Sequence, residues 1–125
     1  MTDDKVLLIL DKYRKLAVFE DYEIRSFEDV GMDDDTPLHM AAYLGDIEAL
    51  AVMLPLIESI NRKGDIGNSP LHYAVMAGSA EAVELLLTAG ADISATNDYG
   101  DTPVEMIDKN RGAILEAIER HRSHS

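Results

Sequence analysis

The feature that most constrains the fold is a four-residue motif that returns at a constant interval. Thr-Pro-Leu-His begins at Thr36, Ser-Pro-Leu-His at Ser69 and Thr-Pro-Val-Glu at Thr102. A period of about 33 residues is typical of stacked copies of one small unit, each of which buries its apolar face only against its neighbours. The sequence therefore favours a solenoid over a closed globule, and a binding surface over a catalytic centre.

Each unit carries the signals of short helices. Thr36, Ser69 and Thr102 are suitable N-caps, and each precedes a proline at the first helical position. Gly45 and Gly78 are predicted to end the first two of these helices. The predicted first helices span 37–44, 70–77 and about 103–109, and the predicted second helices span 47–54 and 80–88. Pro55 follows the second helix of the first unit, so this helix is expected to end early.

This pattern resembles the ankyrin repeat, whose signature is Thr-Pro-Leu-His-x-Ala. Residues 36–42 carry the full signature, and residues 69–74 carry it with serine in place of threonine. Residues 81–93 are similar to the second helix of the family and its exit. The resemblance covers about residues 31–121 and implies an all-α solenoid of stacked helix-turn-helix units with projecting turns. The units are predicted at 31–63, 64–96 and 97–121.

The third unit departs from the family pattern. Glu105 replaces the histidine, Ile107 and Asp108 replace an alanine pair, and one extra residue is needed to align Gly112 with Gly78. A degenerate last unit is expected of a terminal cap, whose outer side faces water. Residues 122–125 are predicted to be a frayed tail. A further departure is Asp34, where the family usually has glycine.

Residues 1–30 lack the motif and are predicted to form an N-terminal helical cap. Apolar residues at helical spacing indicate a helix with one apolar side: Val6, Leu7, Leu10, Tyr13 and Leu16. Tyr22, Ile24 and Phe27 indicate a short extended stretch. Phe27 lies one repeat period before Ile60, as the exit of a decayed repeat would. The alternative is that this segment is a specific binding element.

Composition limits the classes of partner. The chain has 125 residues, no cysteine and a net charge of −13. This charge opposes binding to nucleic acid or to an anionic membrane and favours a basic partner, although acidity can also serve solubility alone. The acidic N-terminus and the short apolar run at 6–10 match neither a secretory signal nor a membrane span. We therefore expect a cytoplasmic protein.

Three groups of residues carry candidate chemistry, and the repeat offers a plainer interpretation of each. His39 and His72 could form a metal or acid–base pair, but neighbouring helices lie about 8–10 Å apart, and the family uses this histidine structurally. The segment 64–69 could cradle a phosphate, but it coincides with the turn between units. Residues 33–35 could hold a cation, but they lack the spacing of a calcium loop. No catalytic residue, metal, cofactor or small-molecule substrate is expected.

The resemblance implies that partners bind at the turn tips and on the exposed side of the first helix. The matching positions are Met32, Asp33, Asp35, Tyr43, Leu44, Asp65, Ile66, Asn68, Met76, Asp98, Tyr99 and Asp101, with Ala77, Lys109 and Asn110 as further positions. An apolar centre with surrounding carboxylates suits a protein interface with a basic partner. The sequence therefore predicts a non-catalytic inhibitor or immunity protein that covers the active site of a basic toxin such as a nuclease. The alternatives are an adaptor for a neutral partner, an enzyme with an unrecognised site, and a scaffold that binds nothing.

Overall fold

The computed structural model describes residues 4–107 and 111–123, and within these ranges the regular secondary structure is entirely helical. The α-helices are α1 (Asp4–Arg14), α2 (Pro37–Leu44), α3 (Ile47–Met53), α4 (Pro70–Ala77), α5 (Ala80–Thr88) and α6 (Arg111–Ser123). Short 3-10 turns span Ala17–Phe19, Met32–Asp34, Leu54–Leu56, Asp65–Gly67 and Pro103–Met106. The predicted all-α solenoid is confirmed.

The helices form two layers around one apolar core. The inner layer consists of α2, α4 and the turn Pro103–Met106, and the outer layer contains α3, α5 and α6. Leu38 and Leu71 from the inner layer and Leu50, Val83 and Leu86 from the outer layer are at most 2% exposed. Because each of α2 and α4 packs on its neighbours and on the outer helix that follows it, the units stabilise one another.

The predicted helix starts are confirmed in the first two units. The Ser69 Oγ accepts a hydrogen bond from the His72 amide at 3.3 Å, and the His72 Nδ1 accepts one from the Ser69 amide at 3.1 Å. Thr36 and His39 form the same reciprocal cap. Left-handed conformations at Gly45 (φ 64°) and Gly78 (φ 74°) then end α2 and α4.

In the third unit, Glu105 performs the capping role of the missing histidine. Its Oε1 accepts hydrogen bonds from the Thr102 amide and hydroxyl at 2.9 and 3.0 Å. The helix predicted at about 103–109 is wrong in length. The structure has a 3-10 turn that ends at Met106, and the backbone of Ile107 is extended (ψ 119°). Gly112 does not end that helix, since it lies inside α6. Lys109 and Asn110 lie outside the described residues.

The outer helices end near the predicted positions. α3 ends at Met53, and Pro55 follows inside a 3-10 turn. The early end that was predicted for this helix is therefore confirmed. α5 has the predicted bounds. α6 extends to Ser123, so that Arg122, the first residue of the predicted tail, is helical. The last two residues of that tail lie outside the described part of the chain.

α1 lies beside α3 and runs in the opposite direction. The Lys12 Nζ and the Tyr13 hydroxyl contact the Asp46 Oδ2 at the start of α3, at 2.9 and 2.8 Å. Leu8 lies near Ala51, further along α3. α1 therefore occupies a place in the outer layer, and the helix predicted for this segment is confirmed.

Asp46 ties α1 to the first repeat. Its Oδ1 caps α3 by accepting a hydrogen bond from the Ala49 amide at 3.2 Å. Partial burial acts to raise the pKa of Asp46, but hydrogen bonds from Lys12, Tyr13 and the Ala49 amide outweigh it and lower this pKa. The carboxylate therefore stays ionised well into acidic solution. Further along, the stretch that contains Tyr22, Ile24 and Phe27 is irregular, and Ile24 and Phe27 are buried.

Candidate protein-binding surface

Three turns of similar geometry project between the units. Each is closed by a backbone hydrogen bond, from Gly31 to the Asp35 carbonyl at 2.8 Å, from Gly64 to the Asn68 carbonyl at 2.8 Å, and from Asn97 to Asp101 at 3.0 Å. Left-handed backbone conformations reverse the chain at each tip: Asp33 (φ 59°), Asp34 (φ 67°), Ile66 (φ 56°), Gly67 (φ 73°) and Gly100 (φ 80°). The repeat therefore presents similar tips side by side.

We expect Asp34→Gly to stabilise the protein. Asp34 holds the left-handed position that glycine holds in the next two turns, at Gly67 and Gly100. A side chain in this conformation costs about 1–2 kcal/mol, and Asp34 adds a charge next to Asp33. The variant should unfold in urea with a free energy roughly 1 kcal/mol higher. As a control, Asp34→Asn removes only the charge. An equal gain in both variants would contradict the backbone explanation.

Most of the predicted site residues are exposed. The large apolar ones are 40–75% exposed: Met32, Tyr43, Leu44, Ile66, Met76 and Tyr99. Asp33 and Asp98 are also exposed, and Asp65 and Asp101 are partly buried. Asp35 and Asn68 are only 7% and 5% exposed. The expectation that these two side chains lie on the surface is therefore wrong.

Asp35 is buried because it links successive turns. Its Oδ1 accepts hydrogen bonds from the Asp65 amide at 3.0 Å and from the Tyr73 hydroxyl at 2.8 Å. Burial, followed by the hydrogen bond to Asp35 and the negative charges nearby, raises the pKa of Tyr73, so this hydroxyl remains a donor. Asn68 plays a related part, since its Oδ1 accepts from the Asn97 Nδ2 at 3.0 Å. Both side chains therefore form hydrogen bonds between the turns of neighbouring units.

Carboxylates at the three tips form a negative cluster. We call Asp33, Asp34, Asp65 and Asp98 the tip carboxylates. Partial burial raises the pKa of Asp65, and the charges of Asp33, Asp35 and Asp98 raise it further. The Asp98 amide also donates to the Ile66 carbonyl at 2.9 Å, which holds two adjacent tips together. A cluster of this kind attracts a cationic group.

Apolar side chains of the inner helices accompany the tip carboxylates. The Tyr43 ring meets the Tyr73 ring edge to face, with centroids 5.8 Å apart and an interplanar angle of 77°. Tyr73 in turn meets the His39 ring at 5.7 Å and 89°. Tyr43 is therefore held in place while 49% of its surface stays exposed. We call the tip carboxylates together with Met32, Tyr43, Leu44, Ile66, Met76 and Tyr99 the binding face.

Sequence reasoning misses two residues of this region. It predicts no role for Tyr73, although this residue orients both Asp35 and Tyr43. The only sequence signal of Tyr73 is an aromatic residue inside the second copy of the motif. Asp34 is absent from the predicted partner-binding positions, yet its exposed side chain adds to the charge of the first tip.

His39 and His72 are structural residues. Both rings are fully buried, and the Nε2 atoms donate to the Arg62 and Asp101 carbonyls at 2.7 and 2.9 Å. Because the Nδ1 atoms accept from the helix caps, both ring nitrogens are occupied. Within the described ranges, no group of three or more His, Asp or Glu side chains could hold a metal ion.

The buried histidines should make stability depend on pH. Burial lowers the pKa of both rings, although the carbonyl bonds act against it. Between the lowered pKa of the folded state and about 6.5, the unfolded chain binds more protons, so stability falls as the pH decreases. Urea unfolding should therefore show a lower free energy at about pH 5 than at about pH 7.5. His39→Gln/His72→Gln should flatten this dependence, and an unchanged slope would contradict the assignment.

The comparison with protein families fits this geometry. A family model described as ankyrin repeats (3 copies) matches residues 9–97. The chain belongs to the ankyrin-repeat family. Because this family is a non-enzymatic protein-binding fold, we assign the chain as a protein-interaction module. The match begins inside the predicted cap and ends at the start of the third predicted unit, so the division into cap and repeats stays a prediction.

The comparison with curated protein sequences returned no significant match. Among the helices of the described residues, none combines the length and the apolar character that crossing a membrane requires.

Proposed function

We propose that this ankyrin-repeat chain is an inhibitor or immunity protein that binds a basic toxin, such as a nuclease, and covers its active site. The observation that supports this most is the cluster of tip carboxylates, in which the charges of Asp33 and Asp98 act on Asp65. A nuclease active site is positively charged because its substrate is a polyanion. Carboxylates on neighbouring turns can occupy the places of the substrate phosphates and pair with arginine and lysine side chains.

The apolar part of the binding face provides the second support. Tyr43, Met76 and Tyr99 are large side chains that remain 40–75% exposed. Aromatic residues and methionine are enriched at protein interfaces, where they supply much of the binding energy. In this proposal they anchor the toxin while the tip carboxylates steer its approach. The complex forms in the cytoplasm, a reducing compartment that suits a chain without cysteine.

The alternative is an adaptor that binds a neutral partner through the apolar residues alone. The two proposals differ in their dependence on salt. Pairing with the tip carboxylates predicts a Kd that rises steeply as ionic strength increases, whereas an apolar contact predicts little change. The neutral adaptor is supported by the same exposed residues, Tyr43, Leu44, Ile66 and Met76, and differs only in leaving the carboxylates unused.

A matched pair of triple variants tests the proposal. The partner is captured from the source cells at low salt, identified by mass spectrometry, and its Kd is measured from about 50 mM to about 500 mM salt. Asp33→Asn/Asp65→Asn/Asp98→Asn should raise the Kd at least about tenfold. Asparagine also tolerates the left-handed conformation of Asp33.

The control variant, Glu20→Gln/Glu81→Gln/Glu116→Gln, changes the net charge equally at exposed positions away from the tips. It should leave the Kd nearly unchanged. If both triple variants raise the Kd equally, the effect comes from the overall charge of the chain and not from the tip carboxylates. An unchanged Kd in the triple asparagine variant, combined with indifference to salt, would favour the adaptor. A captured nuclease should also lose its activity on RNA or DNA when the wild-type chain is added.

A further inference from the structure

Tyr73 occupies a position at which the other two units carry methionine. One repeat period separates it from Met40 in the first unit, and another separates it from Met106 in the third. Methionine is flexible and has no hydrogen-bond donor, whereas tyrosine has a rigid ring and a hydroxyl. Both of these groups of Tyr73 contact residues of the first unit. The middle unit therefore makes contacts with its neighbour that a methionine could not make.

The hydroxyl of Tyr73 joins the first two turns. It donates to the Asp35 Oδ1 at 2.8 Å, and the Asp65 amide donates to the same oxygen at 3.0 Å. Burial, followed by Asp35 and the charge of Asp65, raises the pKa of Tyr73, so its hydroxyl stays protonated and able to donate. A single carboxylate oxygen therefore connects the end of the first turn, the second tip and α4.

The backbone leaves room for this connection. A Cβ at Gly64 would overlap with the Asp35 carboxylate and lie 3.0 Å from the His39 Cδ2. Since φ of Gly64 is −102°, outside the left-handed region, the space that Asp35 needs explains the glycine. The third unit has Asn97 at this position, and its side chain makes the link to Asn68 in the second turn. The link through a carboxylate and a tyrosine is therefore particular to the first two turns.

The ring of Tyr73 lies between a fixed residue and an exposed one. On one side it meets the His39 ring, which is fully buried and hydrogen-bonded at both nitrogens. On the other side it meets the Tyr43 ring, with centroids 5.8 Å apart. Aromatic rings at these distances and in edge-to-face orientation attract one another. The exposed Tyr43 is therefore connected through Tyr73 to the buried part of the first unit.

We propose that Tyr73 is a positioning residue of the binding face, which holds the second tip through Asp35 and the exposed Tyr43 through its ring. This inference rests on the proposed function, since it requires a partner that contacts the tip carboxylates and the apolar side chains together. A face whose two parts are fixed before binding loses less conformational entropy in the complex. Because Tyr73 is itself buried, its effect on binding passes through Asp35 and Tyr43.

Two substitutions separate the hydroxyl from the ring. Tyr73→Phe keeps the ring and removes the donor to Asp35. Tyr73→Met removes both and introduces the residue that the first and third units carry at this position. The Kd for the protein captured as described above should rise about threefold in Tyr73→Phe and at least about tenfold in Tyr73→Met. The second effect is larger because Tyr43 also becomes free to move.

Tyr13→Phe is the matched control. Tyr13 is fully buried, and its hydroxyl donates to the Asp46 Oδ2 at 2.8 Å, the distance that also separates the Tyr73 hydroxyl from Asp35. It belongs to α1, which packs on α3 in the outer layer. Tyr13→Phe should lose stability in urea much as Tyr73→Phe does but leave the Kd unchanged. Equal increases of the Kd in the two variants would overturn the proposal, since lost stability alone would then explain them.

NMR spectroscopy of the free chain tests the positioning without any partner. The ring protons of Tyr43 should keep their ring-current shift in Tyr73→Phe and lose it in Tyr73→Met. The Asp65 amide should exchange with solvent faster in both variants, because its acceptor Asp35 has lost the other donor. The Asp98 amide, which donates to a backbone carbonyl, should keep its rate and so exclude global unfolding as the cause. Unmoved Tyr43 signals in Tyr73→Met, or an unchanged Asp65 rate in both variants, would overturn the proposal.

Different results decide the two proposals. The Tyr73 variants are measured on the captured protein whether it is basic or neutral. An unchanged Kd in the triple asparagine variant removes the toxin proposal and leaves the role of Tyr73 to be decided by its own variants. An unchanged Kd in Tyr73→Met, with the Tyr43 signals moved as expected, overturns the positioning role and leaves the proposed function intact.

Discussion

Leu71→Ala should lower the free energy of unfolding by about 2–5 kcal/mol, the usual cost of a cavity in a closely packed core. Leu71 is 2% exposed and belongs to α4, the inner helix of the middle unit. α4 packs against α2 on one side, the turn Pro103–Met106 on the other, and α5 behind. Because α4 is in contact with other elements on three sides, its neighbours can move only slightly into the cavity that Leu71→Ala creates.

Val104→Ala is the control for this prediction. Val104 holds the same motif position in the third unit but lies at the end of the inner layer, where it is only partly buried. Its loss should cost about 1 kcal/mol or less, since fewer atoms leave the core. Urea unfolding followed by circular dichroism measures both. Equal costs would contradict a stack in which the middle unit is supported from both sides.

The helix order could be predicted because single residues mark each boundary. Thr36 and Pro37 start α2, and Gly45 ends it, through contacts that lie within one turn of the helix. The third unit is less predictable, because its glycine does not mark a helix end. Gly112 lies inside α6, and the preceding turn stops at Met106 with no glycine near it.

The candidate site could be predicted only in part, for a similar reason. The exposed positions of Tyr43 and Met76 follow from their place in the helix repeat, and both are exposed as expected. The burial of Asp35 does not follow from its neighbours, because it depends on Tyr73, far away in the chain. The placement of α1 beside α3 likewise depends on a long-range contact, between Tyr13 and Asp46.

Gly67→Ala should have a large effect on both the fold and the binding face. Gly67 has φ 73°, which costs alanine about 1–2 kcal/mol. A Cβ at this position would also overlap with the Asp98 carboxylate and lie 2.9 Å from the Asp98 amide nitrogen. The second tip must therefore move away from the third, at a total cost of roughly 2–5 kcal/mol in urea unfolding.

Gly100→Ala separates the two causes. Gly100 has a similar φ of 80°, but among the described residues no neighbouring atom lies within 4 Å of the place that an alanine methyl would take. It should therefore show only the backbone cost of about 1–2 kcal/mol. The difference between the variants measures the close approach of Gly67 to Asp98. If both variants lose the same stability, the tips are not packed as closely as described.

The same pair of variants connects the stacking of the tips to binding. In Gly67→Ala, displacement of Asp98 breaks the hydrogen bond from its amide to the Ile66 carbonyl, and the tip carboxylates of the second and third turns change their relative positions. On the proposed function, the Kd for the basic partner should rise at least about tenfold although no charge has been removed. Gly100→Ala should bind nearly as the wild type does. If Gly67→Ala also binds like the wild type at a temperature where it is folded, recognition requires the charge of the face but not its geometry.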